Sequence, residues 1–475
     1  MVRIDSLADY YAVPDVRRRI REYCGGSDER PPTCMYVAAV GSEDGPFVTW
    51  EQTRRYPANQ LDALFKSGAD IARSTWDTAD LLIHLDIDYL NIDARGEAFD
   101  HPAEVFFKLE PVYRATQHVL RRFGLPLFPL MTGQGYHFTG RVPLESVVVD
   151  RIAALLPEVP RWAEWTAVRR PPWISSGIPP RHARAYVGAG MLGEFLAHAI
   201  LRRARRRSPI PIVLNGTVVG SGLIGRECVS LDISYAGDPL DVRHQRVAFG
   251  AYQKHRFRPD IVGPRVASGR APFIAVPRGR ESLAHLLSHG RELRHAARAA
   301  RAYSAVLPTV TGGVARLTAA YETSTLGACH RAFYAAPPWR VDELGVVFGR
   351  LALKRLPDCV RHPLTAPNDL LLQPAVIQHV TRWLMADGMP PREIAAIVHS
   401  RYAADFGWQG RWNRLDARTR AEFDVRVFAA MLATGIDETI DFNCRSAQEK
   451  GLCPDKGCRR DLRVDRERLR KTVHP

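Results

Sequence analysis

The segment LLIHLDIDYLNI (81–92) limits the fold of this chain more than any other stretch. Its apolar residues demand burial, while Asp86 and Asp88 interrupt them at alternate positions. In a strand, side chains i and i+2 point to the same face. Both carboxylates would then project together from a strand otherwise made of Leu, Ile and Tyr. Carboxylates held that close repel one another unless a cation lies between them, and oxygen donors suit Mg²⁺ or Mn²⁺. The same alternation also fits an amphipathic strand whose acids simply meet water. A third carboxylate, Asp232, lies in a similar apolar run, CVSLDISY (228–235).

The periodicity around these runs predicts an α+β chain. Residues 1–35 read as helical. MYVAAV (35–40) and PFVTWE (46–51) read as two strands, residues 58–73 as a helix, and 102–124 as a long amphipathic helix ending at Gly124. PLFPLMTGQGYHFTGRVP (126–143) reads as strand, Gly-rich turn, strand, and APFIAVP (271–277) as a last strand. Residues 280–305 read as helix, 306–345 as irregular with helical pieces, and 346–440 as almost wholly helical. The expected domains are a catalytic α+β domain at 1–280, a helical linker at 281–345 and a helical C-terminal domain at 346–475.

Two further segments bear on chemistry. In Thr132-Gly133-Gln134-Gly135-Tyr136-His137, the glycines let backbone approach a ligand closely and turn N–H groups toward an anion. His137 follows on the next strand; a plain hairpin turn with one histidine would look the same. In 242–258, Arg246 and Lys254 flank aromatics that include Tyr252, a pattern that fits a phosphate contact or a solvated basic loop.

The chain has 475 residues and a net charge of +15. Hydrophobic residues make up 46% and charged residues 25%, which excludes a mainly disordered or collagenous protein. No apolar run reaches the roughly 18 residues of a membrane span, and acids stand where a signal peptide would be apolar. A cytoplasmic protein with no membrane partner is expected. The positive charge favours polyanions, although a genome-wide arginine bias would produce it too. Five arginines crowd RRARRRS (202–208). Of eight cysteines, Cys359, Cys444, Cys453 and Cys458 lie in the last quarter, where they read as metal or cluster ligands rather than disulfides. Thiolates suit both iron–sulfur clusters and zinc.

The order strand-DxD, Gly-turn-His, strand-Asp, basic segment resembles the archaeo-eukaryotic primase superfamily, most closely the small catalytic subunit of the replicative primase. The resemblance covers roughly residues 1–280. It implies an RRM-like core and divalent cations on Asp86, Asp88 and Asp232. It also implies a triphosphate contact at Thr132, Gly133 and His137, with Arg246 and Lys254 as basic positions beyond the third acid. Gly250 and Tyr252 stand where the family often has Ser and His, so Tyr252 is expected to stack on a base or sugar instead. Independently, Cys359 followed by a helical body and the late group Cys444, Cys453 and Cys458 resembles the C-terminal domain of the primase large subunit. That resemblance implies a [4Fe–4S] cluster, with Zn²⁺ as the alternative.

Together these imply a DNA primase or primase-polymerase that acts on single-stranded DNA template and primer with NTPs or dNTPs. A helicase or other replication or defence proteins would be its partners. The alternatives are a non-catalytic nucleic-acid-binding protein and a metal-dependent nuclease, since clustered acids also serve nucleases. Trp408 and Trp412 are candidate base-stacking residues, with core packing as the plainer use.

Overall fold

The structure, a computed structural model, describes residues 4–39, 54–91, 93–156, 179–214, 227–233, 244–253, 273–337, 339–340, 343–366, 374–402, 417–439, 442–449, 451–454, 458 and 460–473. Lys254, Trp408, Trp412 and the expected strand at 46–51 lie outside these residues. The chain packs as two units. One comprises 1–155, 159–214 and 228–318; the other is mainly 319–475. Residues 281–318 therefore pack with the first unit, and 319–345 with the second.

The first unit is a mixed α and β structure. Its elements run α1 (Leu7–Ala12), α2 (Pro14–Tyr23), β1 (Val37–Ala39), β2 (Arg54–Tyr56), α3 (Leu61–Lys66), β3 (Ile71–Ser74), β4 (Asp80–Asn91), α4 (Glu97–Asp100), α5 (Pro102–Phe123), β5 (Phe128–Met131), β6 (Gly135–Pro143) and α6 (Val147–Ala153). Then come α7 (Pro180–Ala204), β7 (Ile212–Leu214), β8 (Glu227–Asp232), β9 (His244–Arg246), β10 (Ala251–Tyr252), β11 (Phe273–Ile274), β12 (Val276–Pro277), α8 (Leu283–Arg291) and α9 (Leu293–Ala302). The helix expected over 58–73 stops at Lys66. Gly68 has φ +60° there, and Ile71–Ser74 form a fully buried strand.

A six-stranded sheet has the order β12-β5-β6-β4-β8-β7, and a four-stranded sheet the order β2-β1-β3-β9. β4 is the longest strand and pairs antiparallel with β6 from Asp80↔Pro143 to Asp88↔Gly135. Alternation sorts its two faces. Ile83, Leu85 and Ile87 share a side with their cross-strand partners Phe138 and Tyr136, and α5 covers that side through Tyr113 against Phe138 and Phe106 against Tyr136. α5 begins on Pro102 at its first turn and ends at Gly124, whose φ of +60° closes a left-handed cap. His84, Asp86 and Asp88 point to the other side. There Thr139 of β6 donates to Gln245 Oε1 of β9 at 3.2 Å, which ties the smaller sheet to this face. The acids thus sit on the side that faces the second sheet.

Below this face lies the buried ion pair of Arg73 and Asp77. Arg73 also donates to the Tyr23 carbonyl at 2.8 Å, and Asp77 accepts from the Ala79 and Asp80 backbone N–H groups that start β4.

The second unit is helical: α10 (Thr311–Glu322), which begins in the first unit, α11 (Thr325–Ala335), α12 (Leu344–Gly349), α13 (Asp358–Thr365), α14 (Pro374–Ala386), α15 (Pro391–Tyr402), α16 (Ala417–Ala433), α17 (Cys444–Glu449) and α18 (Leu462–Val473). Arg382 of α14 binds Asp437 through two hydrogen bonds, 2.8 and 2.6 Å, and both side chains are 2% exposed. Residues 306–345, expected to be irregular with helical pieces, carry the two helices α10 and α11. The basic tail holds α18, which packs on α14. Its Leu462 and Leu469 lie two turns apart and are buried, and Arg468 covers the Trp383 ring at 4.5 Å. No helix among the described residues is long and apolar enough to cross a membrane.

Asp77→Ala leaves the Arg73 guanidinium buried without its carboxylate. It should destabilise the first unit by about 3–5 kcal/mol, read as a lowered denaturation midpoint. A change under about 0.5 kcal/mol would mean that the pair contributes no more than an exposed one.

Candidate active site

The turn after β5 is built for close approach. Thr132 N–H donates to the Gly135 carbonyl at 2.9 Å, and Tyr89 N–H of β4 donates to the Gln134 carbonyl at 2.9 Å. A Cβ at Gly135 would lie 1.9 Å from the Ile87 carbonyl oxygen, and one at Gly133 would lie 2.5 Å from the Tyr252 ring. Only glycine lets the turn fold onto the end of β4 and against Tyr252. This register sets Asp86 opposite His137 and Asp88 opposite Gly135.

The site follows from that pairing. His137 Nε2 lies 3.4 Å from Asp86 Oδ1. Burial alone would lower the His137 pKa, but the Asp86 charge and hydrogen bond, with Asp88 behind them, outweigh it and hold the imidazole above its ordinary value. His84, two residues before Asp86, completes a set in which one donor atom each from His84, Asp86 and His137 lie within 4.8 Å of one another. His84 Nδ1 lies 2.8 Å from Thr139 Oγ1, a hydroxyl that also reaches Gln245 Oε1 and the Tyr23 hydroxyl, each at 3.2 Å. With Nδ1 as the hydrogen-bond donor, the Nε2 lone pair is left for a cation. Burial first, and then His137, push the His84 pKa well below its ordinary value, so it stays neutral. Sequence reasoning missed His84; its i, i+2 relation to Asp86 was the available signal.

Asp232 ends β8, the strand beside β4. Asp86 and Asp232 both line a cavity of about 20 Å³ that reaches α7 at Ala189 and Gly193. Asp86 and Asp88 thus share one face of β4 and Asp232 ends the neighbouring strand, while the donor atoms grouped within 4.8 Å among the described residues are those of His84, Asp86 and His137, without Asp88 or Asp232. Thr132 is buried, and its Oγ1 has no hydrogen-bond partner among the described residues.

Arg246 and Tyr252 reach the same region. The Arg246 side chain is 5% exposed and pairs with the fully buried Asp70. Its guanidinium carbon lies 4.7 Å from the centre of the Tyr252 ring. Tyr252 is buried against the Gly133 turn, which leaves little ring face for a base. Burial first, and next Asp88, raise its phenol pKa well above the usual value, so it remains protonated beside the acids. Asp70 also accepts the Gln253 N–H at 3.0 Å. Between Arg246 and Tyr252 the chain passes through Phe249 at φ +64°, an uncommon conformation for a residue with a side chain. Tyr10 donates its hydroxyl proton to the Phe249 carbonyl, and Ala251 N–H donates to the Tyr11 hydroxyl, so α1 holds this bend in place.

The four late cysteines all fall in the second unit. Cys359 is buried in α13, and its pKa is pushed up to about 12 by burial first, then by Cys453, Cys444 and Cys458. The sulfurs of Cys444 and Cys458 each reach the Arg460 carbonyl, at 3.6 and 3.8 Å. The Leu462 N–H, at the start of α18, donates to Cys444 Sγ at 3.4 Å. The helical body thus brings together sulfurs that are 85 residues or more apart in the chain on one side and 14 or fewer on the other.

No protein-family model, no curated protein and no solved structure matches the chain. What the site does chemically rests on its geometry.

Asp86→Asn removes the charge that outweighs burial at His137. The His137 pKa, followed by NMR in the metal-free protein, should then fall below the ordinary histidine value. An unchanged pKa would place its main partner elsewhere.

Proposed function

We propose that the first unit is a template-directed nucleotidyl transferase, a DNA primase or primase-polymerase that makes or extends primers on single-stranded DNA. The reading is supported by Asp86 and Asp88 on one face of β4, Asp232 at the end of the adjacent strand β8, and His137 opposite Asp86 with the glycine turn beside it.

Clustered carboxylates on the side of the sheet that meets a second sheet gain most when divalent cations share them. The fit is chemical: oxygen donors on adjacent strands, half-buried, with a buried imidazole alongside and a Thr132 hydroxyl that has no hydrogen-bond partner among the described residues. Cations held there would activate a primer 3′-hydroxyl and stabilise the leaving pyrophosphate. The chain's own residues position the reactants. His137, its pKa raised by Asp86, would present its protonated ring to the incoming triphosphate. The 132–135 turn lets the nucleotide approach the backbone. Asp70, Arg246 and Tyr252 brace that turn from behind.

His84, held neutral, adds a nitrogen donor beside Asp86. Imidazole favours transition metals over Mg²⁺, so Mn²⁺ should support more activity than Mg²⁺. A nuclease would share the acids, but a turn pinched against a cationic histidine serves a triphosphate better than a diester.

For the second unit we propose a [4Fe–4S] cluster on Cys359, Cys444, Cys453 and Cys458, with zinc as the alternative. Such a group would tie the start of α18 to α13 and couple its binding to folding of the tail.

Purified protein, single-stranded template, Mn²⁺ and labelled NTPs or dNTPs should give primer products without added primer. Asp88→Ala should lower incorporation at least about 100-fold while leaving the fold intact. Degradation of the template instead of synthesis would select the nuclease reading. Anaerobically purified protein should be brown, with about four irons per chain. A colourless protein holding one zinc would select the alternative.

A further inference from the structure

The helix-covered side of the six-stranded sheet, opposite the acids, carries an open groove of about 620 Å³. Phe107, Arg114, His118 and Arg121 line it from α5, and Arg203 and Arg207 from the end of α7 and the turn after it. Glu110 is the acid at its edge. Its carboxylate is already engaged by Arg114 at 3.0 Å and Arg278 at 2.6 Å. Arg121, Arg203 and Arg207 have no carboxylate partner among the described residues, and all three are exposed. His118 sits inside the electrostatic reach of Arg203, Arg121, Arg122 and Arg207; partial desolvation first, and then these charges, hold its pKa below the ordinary value. Phe107 is 73% exposed, the one aromatic among the large hydrophobic side chains that the described residues leave in water.

Like charges drawn together from two helices repel until an anion joins them. A single phosphate would not span the set, because Arg114 and Arg121 are two turns apart on α5, about 10.5 Å along its axis. A row of phosphates would. An exposed ring beside such a row is the arrangement that stacks a base of an unpaired strand. We propose that this groove binds single-stranded nucleic acid, the phosphates on Arg114, Arg121, Arg203 and Arg207 and a base on Phe107. The strand is held on the side of the sheet away from the metal-binding acids, so this is a second contact, distinct from the reaction centre. It rests on the groove's own charge and shape and goes beyond the reading of the acids.

The test is fluorescence anisotropy of a labelled oligodeoxythymidine over a range of salt, with no nucleotide or divalent cation present. Arg203→Ala/Arg207→Ala should weaken binding at least about 10-fold and reduce the log–log salt slope by about 1.4, the share of two phosphates on a single strand. Phe107→Ala should weaken binding about 5- to 100-fold with the slope unchanged, since stacking releases no counterions. All these residues are exposed, so circular dichroism should show wild-type folding. Folded variants with wild-type affinity and slope would overturn the proposal. So would displacement of the strand by inorganic tripolyphosphate at equal concentration, which would mark a compact anion site. Strand binding that depends on the groove, in a chain that incorporates no nucleotide, would sustain this inference while refuting the transferase reading.

Discussion

The pairing of β4 with β6 is the constraint on which the rest of the site depends. A shift of one residue would turn His84, Asp86 and Asp88 to the helix-covered side and bring Leu85 and Ile87 to the other. Gly135 fixes the register at its critical end, because any Cβ there would run into the Ile87 carbonyl. The pairing sets Asp86 against His137, and that contact decides the charge on the imidazole. Removal of one methyl group's worth of volume at residue 135 is thus what brings two carboxylates, an imidazole and a backbone turn into one place.

A second tier of contacts keeps this arrangement rigid. Asp70 is fully buried, and burial raises its pKa; the Arg246 guanidinium and the Gln253 N–H offset this only in part. The pair holds the 246–253 segment so that Tyr252 lies on the glycine turn. The left-handed Phe249 gives the chain the reversal it needs between β9 and β10, and the two tyrosines of α1 bind the backbone on either side of it. Two polar groups buried for support thus stand within reach of two that remain half-open for chemistry.

Much of this was legible in the sequence, and the gaps have physical causes. The alternation in 81–92 foretold both the strand and its carboxylate face, and the glycine spacing foretold a turn with His137 beyond it. The long helix ending at Gly124 carried its own start and stop signals in Pro102 and Gly124. The roles of Arg246 and Tyr252 were not legible, because their partners, Asp70 and Gly133, are 176 and 119 residues away in the chain. A basic residue beside an aromatic reads the same whether it faces a phosphate or a buried carboxylate. In the tail, Leu462 and Leu469 share one helical stripe, and both are buried where α18 packs on α14. His84 escaped notice because a histidine in an apolar strand gives no sign of what it faces until Asp86, His137 and Thr139 are placed around it.

The central claim is that Asp86, Asp88 and Asp232 share divalent cations at the ends of neighbouring strands. It is tested most directly by crystals grown with Mn²⁺ and a non-hydrolysable nucleoside triphosphate, with data collected for manganese anomalous scattering. The account predicts anomalous density bounded by these three carboxylates, with the triphosphate reaching His137 and the 132–135 turn. Density at any other place, or an ordered triphosphate bound far from β4, would contradict it.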